Sequence, residues 1–160
     1  MSPPRWVGPK VKDLIFYYYA RSVIAPAAGF AGNFGFIYKK YKALLEGSIL
    51  FSDFEEDIEE LSPSDNNCII CNKQGNVRFR HLVRLEEGGP FGIHNIFPFC
   101  ISCFPIRYDG NFLEYWVSKR KRNIDDLPRS LLSINLKLLY YIKKVNFELD
   151  DDCSCFEDLI

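Results

Sequence analysis

The sequence has no uninterrupted hydrophobic run long enough to span a membrane. Its most apolar stretch, residues 14–38, contains Arg21, Pro26, Asn33 and glycines, and charged or polar side chains are costly in hydrocarbon. The N-terminus also lacks the apolar segment of a secretory signal. We therefore expect a protein with no membrane partner and a cytoplasmic location.

Internal repeats and low-complexity tracts are absent as well. Of the 160 residues, 48% are hydrophobic and 26% are charged, which is the composition of a globular chain and not of a disordered one. That length is sufficient for one core with an accessory helical region. We expect one compact domain.

Basic residues are missing from two segments of the chain. Residues 51–66 carry seven acids and no base, and residues 145–160 carry six acids and no base. Residues 1–50 carry seven bases against two acids, and residues 68–123 carry nine against four. The net charge of −1 therefore hides a segregation that predicts a basic surface for phosphates. The two acidic segments either form solvent-exposed faces or screen the basic surface from unwanted contacts.

Four cysteines form two C-x-x-C pairs, which are Cys68 with Cys71 and Cys100 with Cys103. Two such pairs supply the four soft sulfurs of a tetrahedral structural Zn²⁺. Disulfides and unpaired core thiols are the alternatives, and an intracellular chain favours the metal. The C-x-C pair in residues 153–155 is a weak metal signal, and we expect unpaired thiols in a mobile acidic tail.

Hydrophobic periodicity places helices on both sides of the cysteine pairs. A helix with an apolar face from Leu14 to Ile24 ends at Pro26, and a second runs over residues 36–45. Alternation predicts strands over 77–85 and 93–99. A helix is then predicted from Asn111, with the bases at 119–122 at its C-terminal end. The last helix, 131–144, has an apolar face for the core or for a homodimer. The predicted regions are a helical 1–61, a zinc module 65–123, a helix 124–147 and an acidic tail 148–160.

Between the cysteine pairs, the order of polar residues resembles the HNH endonuclease family. His81, Gly88-Gly89, Asn95 and Pro98 precede the second pair, with fourteen positions from His81 to Asn95 and five from Asn95 to Cys100. The flanks, such as 112–116 and 127–129, are similar to archaeal HNH-type proteins. The resemblance implies an α+β fold with a ββα-metal, treble-clef-like zinc module, in which His81 is the catalytic base and Asn95 holds its ring or its loop.

Two positions depart from the family pattern. The residue before the catalytic histidine is commonly an acid that binds Mg²⁺, and here it is Arg80. The residue after the last cysteine is commonly His or Asn, and here it is Phe104. A guanidinium does not coordinate a cation, so we expect a poor Mg²⁺ or Mn²⁺ site. The nearby candidates to replace the missing ligands are Glu86, Glu87, His94 and Asp109, each of which is more simply a loop or packing residue.

Binding to nucleic acid does not need the missing ligands. The bases that the sequence assigns to phosphates, preferably of DNA, are Arg78, Arg80, Arg84, Arg107, Lys119, Arg120, Lys121 and Arg122. We expect an HNH-type protein acting on nucleic acid, by ancestry a divalent-metal-dependent endonuclease of phosphodiester bonds, with weak or no cleavage. The alternatives are a non-catalytic DNA-binding or interaction module, and a zinc-stabilised assembly protein whose bases are buried or pair with the acids of 51–60.

Overall fold

The computed structural model describes residues 2–160, which form two compact units. The N-terminal unit contains the chain up to Ser52 together with Leu139–Ile160, and the central unit is Asp53–Leu138. Within these residues, seven α-helices and one two-stranded antiparallel sheet make an α+β fold, as expected. Among the described residues, no helix combines the length and the apolarity that crossing a membrane requires.

Helix α1 (Val11–Tyr19) continues through a π-helical turn, Ala20–Ile24, into α2 (Ala25–Ala27). This chain of helices ends one residue after Pro26, close to the predicted end. Helix α3 (Phe34–Glu46) begins at Asn33, whose side chain accepts a hydrogen bond from the Phe36 amide, and ends at Gly47 in the left-handed conformation. Both ends follow ordinary capping rules.

The acidic tail is packed and not mobile, so that prediction is wrong. Its backbone amide at Cys153 donates to the Pro9 carbonyl at 2.7 Å, and its acids at 150 and 152 form ion pairs with Lys12 and Lys10. Phe156 of α7 (Phe156–Leu159) is fully buried against Tyr18. The tail therefore has an apolar side that packs and an acidic side that forms ion pairs. Its helix is too short for hydrophobic periodicity to indicate this from the sequence.

In the central unit, the acidic helix α4 (Phe54–Leu61) is anchored to α6 (Arg129–Val145). Asp57 is buried, pairs with the buried ammonium of Lys137, and accepts a hydrogen bond from Ser133 at 2.8 Å. Burial raises the pKa of Asp57, although Lys137 and Ser133 act in the opposite direction. Removing one partner of such a pair is strongly destabilising, because the other charge stays buried.

Strand β1 (Val77–His81) pairs antiparallel with β2 (Ile96–Cys100), in the register Val77↔Cys100 to His81↔Ile96. Both strands differ in extent from the predicted 77–85 and 93–99. β1 stops at His81 because the next residues, Leu82 and Val83, turn inward and are buried. The turns between strands include a short 3₁₀ helix, Leu85–Glu87.

After the second cysteine pair, α5 (Phe112–Glu114) continues into a π-helical turn, Tyr115–Lys119. The core beside the sheet is aromatic, with Phe99, Phe104 and Phe112 in mutual ring contact at 5.0–5.2 Å. A 3₁₀ turn, Ile124–Asp126, then leads to α6. The observed helix is shorter than the one predicted from Asn111 through the basic run, because it ends at Lys119.

Candidate metal centre and nucleic-acid surface

The two cysteine pairs converge on one point of the central unit. The sulfurs of Cys68, Cys71, Cys100 and Cys103 all lie within 4.8 Å of one another, and all four are free thiols. The Sγ atoms of Cys71 and Cys100 are 3.8 Å apart. A Zn–S bond of about 2.3 Å in a tetrahedron gives a sulfur–sulfur edge of about 3.8 Å. The cluster is therefore compatible with a structural zinc ion.

Local backbone bonds shape the first pair into a tight turn. The Asn72 amide donates to the Cys68 carbonyl at 2.9 Å, and the Cys68 amide donates to the Lys73 carbonyl at 3.0 Å. Asn72 has a φ of +60°, a conformation that asparagine tolerates better than most residues. The turn brings both sulfurs to the same side of the chain.

The second pair begins at the last residue of β2. Burial raises the pKa of Cys100, but hydrogen bonds from the Cys103 amide and from the neighbouring thiols outweigh it and lower the value to about 7. Burial raises the pKa of Cys103. Ile70 and Val77 pack against the buried sulfurs. Three of the four cysteines are buried, and Cys71 is exposed. Four protein sulfurs are the donor set of a structural zinc site, which has no open position.

His81, the predicted base, lies at the end of β1 opposite Ile96 and is half-buried. The ring of Phe91 is 6.2 Å from its own. In the part of the chain that the structure describes, the four cysteines are the only set of three or more histidine, cysteine or carboxylate ligands grouped closely enough for a metal. His81 is thus outside any such set.

Arg80 and Phe104, the two departures from the family pattern, contact each other. The guanidinium carbon of Arg80 lies 3.9 Å from the ring centroid of Phe104, which is buried. The two terminal nitrogens of Arg80 donate to the carbonyls of Pro105, at 2.9 Å, and Tyr108, at 2.8 Å. Burial lowers the pKa of Arg80. A cation–π pair with satisfied donors thus fills the region where two metal ligands were expected.

The acids and the histidine considered as replacement ligands have other partners. Arg84 lies 3.3 Å from a carboxylate oxygen of Glu86 and 3.4 Å from one of Asp109. The ring of His94 stacks on Phe54 and its Nε2 is 3.3 Å from a carboxylate oxygen of Glu55. Glu87 is exposed in the 3₁₀ turn. These contacts favour the loop and packing roles.

Asn95 clamps the loop between the strands. Its side-chain oxygen accepts from the Val83 amide at 2.9 Å, and its nitrogen donates to the carbonyls of Val83 at 2.8 Å and Pro90 at 3.0 Å. Asn95 is 0% exposed, so it does not touch solvent or a substrate. Of the two roles that the resemblance implied, holding the loop is the one these contacts support.

Gly89 is the partner of this clamp. A Cβ atom at this position would lie 2.1 Å from the Val83 carbonyl oxygen and 2.8 Å from the Asn95 side-chain nitrogen. The sequence pattern marked Gly88-Gly89 only as a loop. No local signal separates Gly89 from Gly88, because the close approach is to Val83 and Asn95, each six positions away in the sequence.

Alanine at Gly89 is expected to destabilise the central unit, whereas alanine at Gly92 is expected to be tolerated. The first substitution displaces the Val83 carbonyl and the clamp, and each buried polar group left unpaired costs about 1–3 kcal/mol. A Cβ at Gly92 meets nothing within 4 Å. Thermal unfolding of both variants measures the difference. Equal melting temperatures would contradict the clamp.

The bases on β1 share a face with buried aromatic residues. Residues paired directly across an antiparallel sheet lie on the same face, and Arg78 pairs with Phe99 while Arg80 pairs with Phe97. Phe79, on the opposite face, is 52% exposed. Alternation separated the two faces correctly, but an exposed row of strand arginines was expected, and of the two only Arg78 is exposed.

The remaining predicted bases are distributed over the surface of the central unit. Arg107 is exposed, as are Lys119, Lys121 and Arg122. Arg120 and Arg122 have their guanidinium carbons 5.1 and 5.9 Å from the ring centroid of Trp116. Lys121 has a φ of +56°, so the basic run turns away from the helix instead of capping it. Within residues 2–160, no ion pair joins Arg107 or the bases at 119–122 to an acid.

No family model, no curated protein and no solved structure matches the chain.

Proposed function

We propose that the chain is an HNH-type protein that binds nucleic acid on a zinc-stapled ββα module and cleaves it weakly or not at all. Support comes from the order of the elements, which is first cysteine pair, β1, clamped loop, β2, second cysteine pair and α5. The four sulfurs lie within 4.8 Å of one another, close enough to share one metal ion. The zinc is structural because all four of its positions are taken by protein ligands.

The observation that carries the proposal is the stacking of Arg80 on Phe104. Cleavage of a phosphodiester in the HNH manner would need a divalent cation beside His81 to stabilise the developing charge. Mg²⁺ and Mn²⁺ prefer oxygen ligands, whereas Arg80 brings a positive charge held in place by two carbonyls. The donor set around His81 therefore disfavours the cation, and His81 is left as the base of any residual activity.

Exposed bases supply the binding surface in this proposal. Arg78, Arg107, Lys119, Lys121 and Arg122 are exposed and belong to the same unit as the cysteine cluster. Such bases attract a polyanion by releasing its counterions, whatever the base sequence. Arg80 and Arg84 contribute less, because their guanidinium groups are engaged within the protein.

An assembly protein without nucleic acid is the alternative in which the bases are buried or pair with the acids of 51–60. Three of those acids have other partners: Asp57 pairs with Lys137, Glu60 with Arg129 and Glu55 with His94. The basic run at 119–122 is left for an external anion. We therefore favour nucleic acid as the partner.

Replacing Lys119, Arg120, Lys121 and Arg122 by alanine is expected to weaken binding and to lower its salt dependence. If each base neutralises one phosphate, the slope of log affinity against log salt should fall by roughly 3–4 units on duplex DNA. Fluorescence anisotropy of a labelled duplex over a salt series measures it.

A charge-matched control is available in the other unit. Four positive charges are likewise removed when alanine replaces four lysines that lie outside the central unit, Lys39, Lys40, Lys42 and Lys144. This control should leave the slope unchanged. Equal effects of the two quadruple variants would show that only net charge matters, and an absence of binding at low salt would refute the function.

A further inference from the structure

A pocket of about 590 Å³ opens on the outer side of the zinc module. Its apolar lining includes Phe79, Ile101 and Ile106, which are 52%, 55% and 56% exposed. Three exposed apolar side chains gathered around one concavity are unusual for a surface with no ligand. The volume lies within the range of about 300–1,000 Å³ that is typical of ligand pockets.

The pocket is built on the cysteine pairs. Ile101 lies between Cys100 and Cys103, and Val77, which also lines the pocket, packs against the buried sulfurs. The far wall is fixed by the Gly75 amide, which donates to the Asn66 carbonyl at 2.8 Å. The shape of the pocket therefore depends on the same contacts that hold the metal site.

Polar groups surround the apolar lining. The pocket is also lined by Asn66, Asn76, Asp65 and Arg78, all of them exposed. Carboxamides donate and accept, and a carboxylate accepts, so these side chains suit the edge of a heterocycle with mixed donors and acceptors. Arg78 adds one positive charge, while Asp65 makes the interior unfavourable for a phosphate.

We propose that this pocket receives unpaired bases of single-stranded nucleic acid, with Phe79 as the stacking platform and Arg78 on the adjoining phosphate. This inference rests on the proposed function and adds a preference for single strands to it. An exposed aromatic ring beside cationic side chains is the arrangement that single-strand binding uses, because every base has a π-face. Paired bases in a duplex present no face to such a ring.

The mixed lining distinguishes this occupant from others. A lipid surface would favour an apolar convex patch without the two asparagines and Asp65. A phosphorylated side chain would bring a charge of about −1.5 to −2 to a pocket that offers one positive and one negative side chain, whereas each phosphate of a nucleic acid carries one negative charge. The flat, apolar and hydrogen-bonding character of a nucleobase agrees with all of these side chains at once.

The test compares Phe79→Ala with Phe91→Ala in anisotropy titrations of a labelled oligothymidylate and a labelled duplex. Phe91 is a matched control because it is also an exposed phenylalanine, at 88%, and does not line the pocket. Losing one stacked base corresponds to a loss of affinity of about 5- to 150-fold. Phe79→Ala should show this loss on the single strand alone, Phe79→Trp should restore binding, and Phe91→Ala should behave as the unmodified protein.

The outcomes separate this inference from the proposed function. If Phe79→Ala leaves single-strand affinity unchanged, or lowers single-strand and duplex affinity equally, the pocket does not bind bases and the inference is overturned while nucleic-acid binding stands. If the unmodified protein binds neither probe at low salt, both fall. Zinc content and melting temperature measured on each variant exclude unfolding as the cause of a loss.

Discussion

Replacing Cys71 by serine is expected to remove the zinc and to unfold the central module. A tetrahedral site with three thiolates holds zinc much less tightly than one with four, and the two-stranded sheet that it joins is too small to be stable alone. Binding of a structural zinc contributes on the order of 10 kcal/mol to folding in small modules. No other single replacement in this chain is expected to cost more stability.

The chain contains its own control for this experiment. Cys153 and Cys155 are outside the cluster and belong to the other unit. Serine at either position should leave one zinc ion per chain, as measured by metal analysis, whereas serine at Cys71 should leave none. Cobalt substitution adds a spectroscopic test, because thiolate coordination gives a charge-transfer absorption that only the intact cluster should show.

The pH dependence of metal retention follows from the same thiols. Zinc binds thiolates, so protonation competes with the metal and retention must weaken as the pH falls. Purified protein that contains no zinc, or Cys71→Ser protein that keeps it with an unchanged melting curve, would contradict a structural zinc site.

The sequence predicted those features that depend on neighbours along the chain. The paired spacing of cysteines required no tertiary information, because a C-x-x-C turn places two sulfurs on one ligand by local geometry alone. Although the capping side chain of Asn33 was not used to place its start, helix α3 was predicted within two residues at each end. The same holds for α6, whose apolar periodicity is long and regular.

What the sequence did not predict are contacts between distant residues. Alternation on β1 places Arg78 and Arg80 on one face, but only the pairing with Phe97 and Phe99 shows that this face meets the core. Likewise, Arg80 and Phe104 are 24 positions apart and nothing in either local pattern indicates that they stack. The register and the fold of the second cysteine turn bring them together.

Cleavage of nucleic acid is expected to be weak, and His81 is expected to be its only base. Removing a general base costs about 10²–10⁴ in rate, so His81→Ala should abolish any Mn²⁺-dependent cutting. The paired replacement of Arg80→Asp and Phe104→His returns an oxygen and a nitrogen ligand to the place of the cation–π stack. Provided that zinc content is unchanged, this double variant should cleave faster than the unmodified protein.

The stack also defines the control for that experiment. Arg80→Lys keeps the positive charge but loses the two-carbonyl geometry and part of the ring contact. It should lower the melting temperature without creating cleavage, because it adds no metal ligand. A gain of cleavage in Arg80→Lys would assign the effect to loosening of the loop and not to a restored ligand set.

The most direct measurement compares binding and cleavage of one labelled DNA under the same conditions. With protein in excess of the concentration that saturates binding, and with Mn²⁺ present, we expect DNA that is bound and left intact, or cut at a slow rate that His81→Ala eliminates. Rapid cleavage of the saturated DNA by the unmodified protein that persists in His81→Ala would contradict this expectation.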